Sequence, residues 1–178
     1  MSEARAASSK AAASAADLVF LDLEDACAPA QRKESRAKVV HALNDYDWGE
    51  TARAVRVNDI TTHWAYGDII EVVTGAGNNL DTIIVPKVTA ARDVWWVDVL
   101  LTQLETDLDL KRQIRLEVLI EDVAGVAHAE AIAVMRETGA SRGVSGLLTN
   151  GGALADQPAG LGERAVLEDH VQLIFVGQ

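Results

Sequence analysis

Charged side chains follow four short apolar runs of the sequence, in each case where the run ends. They are Glu24 and Asp25 after the first run, Arg56 in the second, Lys87 in the third and Glu121 after the fourth. Carboxylate oxygens suit a hard divalent cation, and a guanidinium group suits an anionic substrate. If the runs are parallel strands, these groups meet at one edge of the sheet, because the carboxyl ends of all the strands lie there. Ligands of such folds bind at that edge.

A plainer interpretation of the acidic residues stays open beside this one. Asp and Glu at strand ends commonly cap the helix that follows, and Asp25 or Asp122 could do only that. For any one residue alone, capping or a surface ion pair is the more common role. The agreement between successive strand ends, including Asn150 after the fifth run, is what favours a site.

The apolar runs themselves recur about every 30 residues, roughly the length of one strand and one crossover helix. They are Leu18–Leu23, Ala52–Val57, Thr82–Val88, Ile114–Ile120 and Val144–Leu148. Their nearly continuous apolar character is typical of a sheet covered on both faces or closed into a barrel. The sequence therefore predicts repeated β-α units around a parallel sheet.

Two of the intervening segments have a clear helical period. One apolar stripe consists of Val94, Val97, Leu101, Leu104 and Leu108, and a second of Ala37, Val40 and Leu43. If the second stripe faces the core, Arg36 and its charged neighbours are expected to face solvent. Trp95 and Trp96 are expected to pack on their helix face, or one of them could face a neighbouring subunit.

Composition excludes several classes of protein. The 178 residues carry a net charge of −11 and are 49% hydrophobic, which argues against a nucleic-acid partner and against disorder. No apolar run reaches the roughly 20 residues that span a membrane, and the single cysteine, Cys27, forms no internal disulfide. We expect one cytoplasmic domain over residues 1–178.

Several segments together resemble one known family. They are DLVFLDLEDACAP, KESR, AVRVND, TTHWAYGDIIEVV, LDTIIVPKV and LEVLIED, in this order. The chain is similar over about residues 8–138 to the citrate lyase β-subunit-like (HpcH/HpaI aldolase) family. WAYGD and VWWVDVLLTQLE are most similar to its malyl-CoA / β-methylmalyl-CoA lyase branch.

The resemblance implies a (β/α)8 barrel, here partial with about five of eight strands, in a homo-oligomer. It implies Mg²⁺-dependent cleavage of a hydroxyacyl-CoA thioester such as malyl-CoA into acetyl-CoA and a 2-oxo acid, glyoxylate. By the same resemblance Glu121 binds the metal, and Arg56 is catalytic and holds the substrate's oxygens. Lys87 also binds substrate, and Glu24 and Asp25 support the metal.

The sequence departs from the family pattern at both ends. The segment N-G-G-A-L-A over residues 150–155 places Ala153 where relatives have an aspartate that binds the metal. The family's first strand has no counterpart, and residues 162–178 contain no recognisable final strands, so we expect a truncated family member. Two hypotheses remain: a Mg²⁺-dependent carbon–carbon lyase, or a catalytically impaired fragment acting as an interaction or regulatory partner of a full-length relative.

Overall fold

A computed structural model describes residues 16–135, 144–149 and 171–175 of the chain. Six strands in these residues form one sheet in which every pair of neighbours is parallel. The strands are β1 (Leu18–Asp22), β2 (Ala52–Arg56), β3 (Thr82–Val85), β4 (Arg115–Ile120), β5 (Val144–Thr149) and β6 (Val171–Phe175). Their order across the sheet is β5-β4-β3-β2-β1-β6.

Helices alternate with the first strands, which confirms the predicted β-α units. They are α1 (Arg32–Asp45), α2 (Ala65–Ala76), α3 (Ala91–Asp107) and the short α4 (Val123–Ala127) and α5 (Ala129–Ala133). Pro29 opens a 3₁₀ turn before α1, where its missing N–H costs little. Within the described residues, no helix is long and apolar enough to cross a membrane.

The two faces of the sheet are packed unequally. Alternate residues of β1 to β4 point to one face, where they form the main core with the helices. The opposite face carries a much smaller apolar cluster, whose residues are Ala54, Ile84 and Leu119 with Leu18 and Phe20 against them. The helix-covered face therefore holds most of the buried apolar surface. The opposite face is the one on which the strands end in polar residues.

The helix predictions are confirmed in part. Val94, Val97 and Leu101 of α3 are buried, as the spacing predicts. Trp95 and Trp96 are 53% and 37% exposed, so in the described part of the chain they are not buried on the helix face, and the alternative that one of them faces a neighbouring subunit stays a prediction. They follow Val94 directly and therefore lie outside the buried stripe.

The prediction for α1 is wrong at Arg36 and Ala37. Arg36 is buried, whereas Ala37 is exposed. The period of a single helix could not anticipate this, because Arg36 is held by Asp68 and Glu71 of α2. A buried arginine that is paired and hydrogen-bonded takes the place of an apolar residue.

The strand count also differs from the prediction. Five strands were expected, but Val171–Phe175 forms a sixth that pairs in parallel with β1, with Leu18 opposite Val171. Residues 162–178, in which no final strand of the family is recognisable from the sequence, therefore supply one strand of the sheet.

Candidate active site

Four of the predicted site residues converge at the carboxyl ends of β1 to β4. We call this group, Glu24, Arg56, Lys87 and Glu121, the rim. Lys87 Nζ lies 2.8 Å from Glu24 Oε1, and Arg56 Nη1 lies 3.5 Å from Glu24 Oε2. The charges of Glu24, Lys87 and Arg56 all act on the Glu121 carboxyl. The predicted placement of these residues at one edge of the sheet is therefore observed, while their roles remain predictions.

Asp22 is the main partner of Arg56, although its place inside an apolar run did not mark it as a site residue. Arg56 donates from Nε to Asp22 Oδ1 at 2.8 Å and from Nη2 to Oδ2 at 2.5 Å, a two-pronged ion pair. Asp22 also accepts from the backbone amides of Glu24 and Ala26, at 2.9 and 3.2 Å. One fully buried carboxylate thus fixes both the guanidinium and the turn that follows β1.

This pairing determines which part of Arg56 is available to a substrate. The edge formed by Nε and Nη2 is engaged by Asp22, and the guanidinium carbon lies 5.8 Å from the centre of the Phe20 ring. Burial disfavours the charged form of Arg56, but the hydrogen bonds and charge of Asp22 outweigh it and raise the pKa of Arg56. Arg56 is therefore a fixed cation that offers mainly Nη1 to an anion.

Glu24 is buried without a full set of donors. Its side chain is 4% exposed, and neither Oε atom receives a well-aligned hydrogen bond from the described residues. Burial raises the pKa of Glu24, an effect that the contact with Lys87 offsets only in part. A buried carboxylate in this state attracts a further donor or cation.

Lys87 adopts a backbone conformation that is rare outside glycine, with φ at 54°. Its side chain is 48% exposed, so the ammonium group reaches both Glu24 and solvent. The contact with Glu24 raises the pKa of Lys87, which keeps the group charged. An uncommon backbone conformation at a polar rim is the kind of local strain that accompanies functional sites.

A cavity of about 350 Å³ opens beside Lys87 and Glu121. Its lining residues are Asp59, Ile60, Thr61, Lys87, Thr89, Asp93, Glu121 and Asp122. Burial and the neighbouring charge of Glu24 raise the pKa of Glu121, against the opposing charges of Lys87 and Arg56. The cavity thus contains the cation Lys87 and the carboxyl group of Glu121. A further positive charge beside Glu121 would lower its pKa.

The other three carboxylates of the cavity serve local structure. Asp122 accepts from the Gly125 amide at 2.8 Å and so caps α4, as the capping alternative predicted. Asp93 accepts from the amides of Thr89 and Ala90, and Asp59 from that of Thr61. Asp25, the other capping candidate, instead lies 3.4 Å from Arg56 with a side chain that is 69% exposed.

Whether a divalent cation fits depends on the charges at and beside the rim. The rim has two carboxylates and two cations, and Asp22 and Asp25, which contact Arg56, add two more carboxylates, so the group as a whole has a formal excess of two negative charges. This excess and the unsatisfied oxygens of Glu24 suit a hard divalent ion. No cluster of three or more potential ligands occurs within the described ranges, so these residues do not form a complete set of protein ligands.

One prediction lies outside the described residues, namely the segment 150–155 with Ala153 in the place of a second metal ligand. Of the histidines in the described part of the chain, His41 pairs with Asp45, and His128 Nδ1 lies 2.8 Å from Thr89 O.

Comparison with known proteins gives a family and a fold. Residues 1–149 match the family model described as HpcH/HpaI aldolase/citrate lyase. L-malyl-CoA/beta-methylmalyl-CoA lyase of Cereibacter sphaeroides is 44% identical over 124 residues, which are 70% of this chain and 39% of the relative. Malyl-CoA/beta-methylmalyl-CoA/citramalyl-CoA lyase of Chloroflexus aurantiacus is 32% identical, over 83% of this chain and 47% of its own. The chain thus spans less than half the length of these relatives.

A solved structure, malate synthase of Haloferax volcanii in a lead(II) complex, superposes with a TM-score of 0.68 at 18% identity. The superposition covers 79% of this chain and 44% of the synthase. The six parallel strands and this likeness agree with the predicted partial (β/α)8 barrel.

Proposed function

The chain belongs to the HpcH/HpaI aldolase/citrate lyase family, and on that premise we propose that it acts as a carbon–carbon lyase on a hydroxyacyl-CoA thioester such as malyl-CoA. The proposed products are glyoxylate and acetyl-CoA. The names of the two relatives, both lyases of malyl-CoA, support the substrate class. We further propose a cytoplasmic homo-oligomer.

The observation that carries this proposal is the pair of cations held beside Glu121 and the cavity. Lys87 lines the cavity directly, and Arg56 is held by Asp22 with Nη1 on the side of Glu24. A 2-hydroxy acid end carries a carboxylate, which two fixed cations would bind and orient. A cavity of about 350 Å³ is large enough for this small end of the substrate.

The reaction breaks the bond between the hydroxyl-bearing carbon and its CH₂ neighbour. The electron pair of that bond passes to the CH₂ carbon as the enolate of acetyl-CoA, while the hydroxyl loses its proton and becomes the carbonyl of glyoxylate. The enolate then takes up a proton to give acetyl-CoA. Arg56 and Lys87 stabilise negative charge on the oxygens, because their guanidinium and ammonium groups are already oriented before the charge develops.

Mg²⁺ is the cofactor that we propose for this site. Glu121 would hold it, with Glu24 and Asp25 nearby through water, and the excess of two negative charges at and beside the rim supports this assignment. When bound, the ion supplies Lewis-acid polarisation of the substrate oxygens.

The test is to incubate the purified chain with malyl-CoA and MgCl₂ and to follow glyoxylate as its phenylhydrazone. Free CoA thiol is measured in parallel, which separates carbon–carbon cleavage from thioester hydrolysis. We expect glyoxylate without thiol release, and loss of activity when EDTA removes the metal. Arg56→Ala should lower turnover about 100- to 1000-fold, whereas Arg92→Ala, at an exposed arginine, should leave it unchanged.

Binding of malyl-CoA without glyoxylate release would overturn the lyase proposal. It would instead support the second hypothesis, a non-catalytic interaction partner, which the names of the relatives do not favour. Equal amounts of glyoxylate from wild type and Arg56→Ala would reject the role of Arg56.

A further inference from the structure

A buried polar network lies behind the rim, and the proposed reaction does not use it. Its centre is Asp68 of α2, which is fully buried. Asp68 Oδ1 accepts from Arg36 Nε of α1 at 2.7 Å. Asp68 Oδ2 accepts from the backbone amide of Asn58 at 2.9 Å and from Asn58 Nδ2 at 2.7 Å. One carboxylate thus joins two outer helices to the turn after β2.

Asn58 extends the network to the turn after β1. Its Nδ2 also donates to the backbone oxygen of Leu23 at 2.9 Å, directly before Glu24. Asn58 itself follows Arg56 by two residues and is 1% exposed. The turn that carries Glu24 is therefore held by Asp22 from the sheet and by Asn58 from the outer layer.

We propose that Asp68 and Asn58 are positioning residues of the rim. They set the placement of the Glu24 turn and of the chain after Arg56 relative to α1 and α2, without contact with substrate. This inference rests on the proposed function only for its effect on turnover, since the placement itself can be measured without substrate.

The packing around Asp68 supports this role over that of an ordinary surface ion pair. A Cβ at Gly67 would lie 2.6 to 2.8 Å from the guanidinium atoms of Arg36, so the chain leaves this space to the arginine. Arg36 also donates to Trp64 O at 3.0 Å, which fixes the start of α2. Arg36 and Asp68 are both buried and paired, so breaking their contact would leave an unpaired charge in the interior.

Glu71 provides a matched control. It accepts from Arg36 Nη1 at 2.6 Å, as Asp68 accepts from Nε, but its side chain is 47% exposed and no bond joins it to Asn58. Asp68→Asn and Glu71→Gln each remove one charged partner of Arg36. Only the first of these substitutions weakens the connection to the rim.

The experiment is hydrogen exchange resolved to single amides in the purified chain without ligand. The probes are the amides of Glu24 and Ala26 at the rim, and that of Arg53, bonded to Asp81 at the opposite end of the sheet. Asp68→Asn should speed exchange at Glu24 and Ala26 about 10- to 100-fold, as expected for loss of a hydrogen bond to a buried charge. Exchange at Arg53 should not change, and Glu71→Gln should leave all three amides near their wild-type rates.

Asn58→Ser is the second variant, because it keeps the Arg36–Asp68 pair and the backbone amide bond to Asp68, and removes the bonds from Nδ2 to Leu23 O and Asp68 Oδ2. It should speed exchange at Glu24 and Ala26 in the same way if the bridge positions the turn. If Asp68→Asn and Asn58→Ser alter the three amides equally, or alter none of them, the network is only structural and the proposal is wrong.

Turnover gives an independent reading. Asp68→Asn should lower kcat about tenfold or more with a smaller change in KM, because a displaced rim group costs rate even when the substrate still binds. An unchanged kcat together with faster rim exchange would overturn the catalytic part of the proposal. If wild type shows no turnover, the proposed function fails, while the exchange result still decides the positioning.

Discussion

At the scale of single residues, Asp22 is the partner that holds the Arg56 guanidinium in place at the rim. Both groups are buried, and two parallel hydrogen bonds join them. Removing one partner of such a pair costs more than the pair itself contributes, because the other charge stays buried and unpaired. The stability of the chain should therefore depend strongly on this one carboxylate.

Asp22→Asn should lower the free energy of unfolding by about 3 kcal/mol, near the low end of the range for a broken buried pair, since Glu24 and Asp25 remain near Arg56. Urea denaturation monitored by tryptophan fluorescence measures the change. Asp25→Asn is the matched control: its carboxylate is largely exposed, and we expect a change within about 0.5 kcal/mol. A loss below 1 kcal/mol for Asp22→Asn would contradict the assigned role of the pair.

Sequence patterns located the groups that follow strands and missed the residues that pair with them. Asp22 closes an apolar strand, and its charge within such a strand was the one available signal that it must have a buried partner. Arg36 was placed in solvent because the helical period of its own segment contains no information about Asp68, 32 residues further along the chain. Local spacing predicts which face a residue is on, but not which distant charge meets it there.

At the scale of elements, α4 is joined to the turn after β3 by a close contact at Gly125. A Cβ at this position would lie 2.5 Å from the backbone oxygen of Val88 and 2.9 Å from the Ile120 side chain. Because Val88 directly follows Lys87, the packing of α4 against this turn affects the position of Lys87 at the rim.

Gly125→Ala should therefore destabilise the chain by about 1 to 3 kcal/mol, since a backbone oxygen cannot move aside as a side chain can. The Asp122 cap on the Gly125 amide should weaken at the same time, and thermal unfolding measures the combined effect. Ala124→Ser, at an exposed position of the same helix, should change stability by about 0.5 kcal/mol or less. An alanine variant as stable as wild type would mean that the helix moves freely.

The elements themselves were largely predictable. Four strands, β1, β2, β3 and β5, start where the predicted apolar runs start, and β4 starts one residue later than its run. This agreement follows because a buried parallel strand needs a continuous apolar segment. The sixth strand was missed, since VQLIF stands in a region without family resemblance and its pairing with β1 is not a local property.

At the scale of the whole molecule, the two ends of the sheet respond to pH in opposite directions. At the amino end, burial works against ionisation of Asp81, but bonds from Arg53 and the charge of Arg112 outweigh it and lower the pKa of Asp81 below its ordinary 3.8. The resulting stability is present above pH 3.8 and is lost as the pH falls through the folded-state pKa. At the rim the pKa of Glu24 is raised above 4.5, so its contribution is complete below pH 4.5 and is lost as the pH rises through the folded-state pKa.

Two variants separate these effects. Asp81→Asn should reduce the loss of stability below pH 3.8, and Glu24→Gln should reduce the decline above pH 4.5, to which Glu121, whose pKa is also raised, contributes as well. The free energy of unfolding from urea titrations across this pH range measures both, and each variant serves as the control for the other. A parallel shift of the whole curve in either variant would contradict the assignment.

The position of β6 beside β1 also has a consequence in time. Each of β1 to β4 pairs with a strand that is close in sequence, whereas β1 and β6 lie at opposite ends of the described chain. Pairing over such a separation closes a long loop and is slow. During synthesis on the ribosome, β1 through β4 can assemble while the later residues are still being made, and the free side of β1 waits as an open edge for a strand of the same direction. In that interval, the unpaired backbone groups along the free edge of β1 are the ones most open to hydrogen bonding with a strand of another molecule.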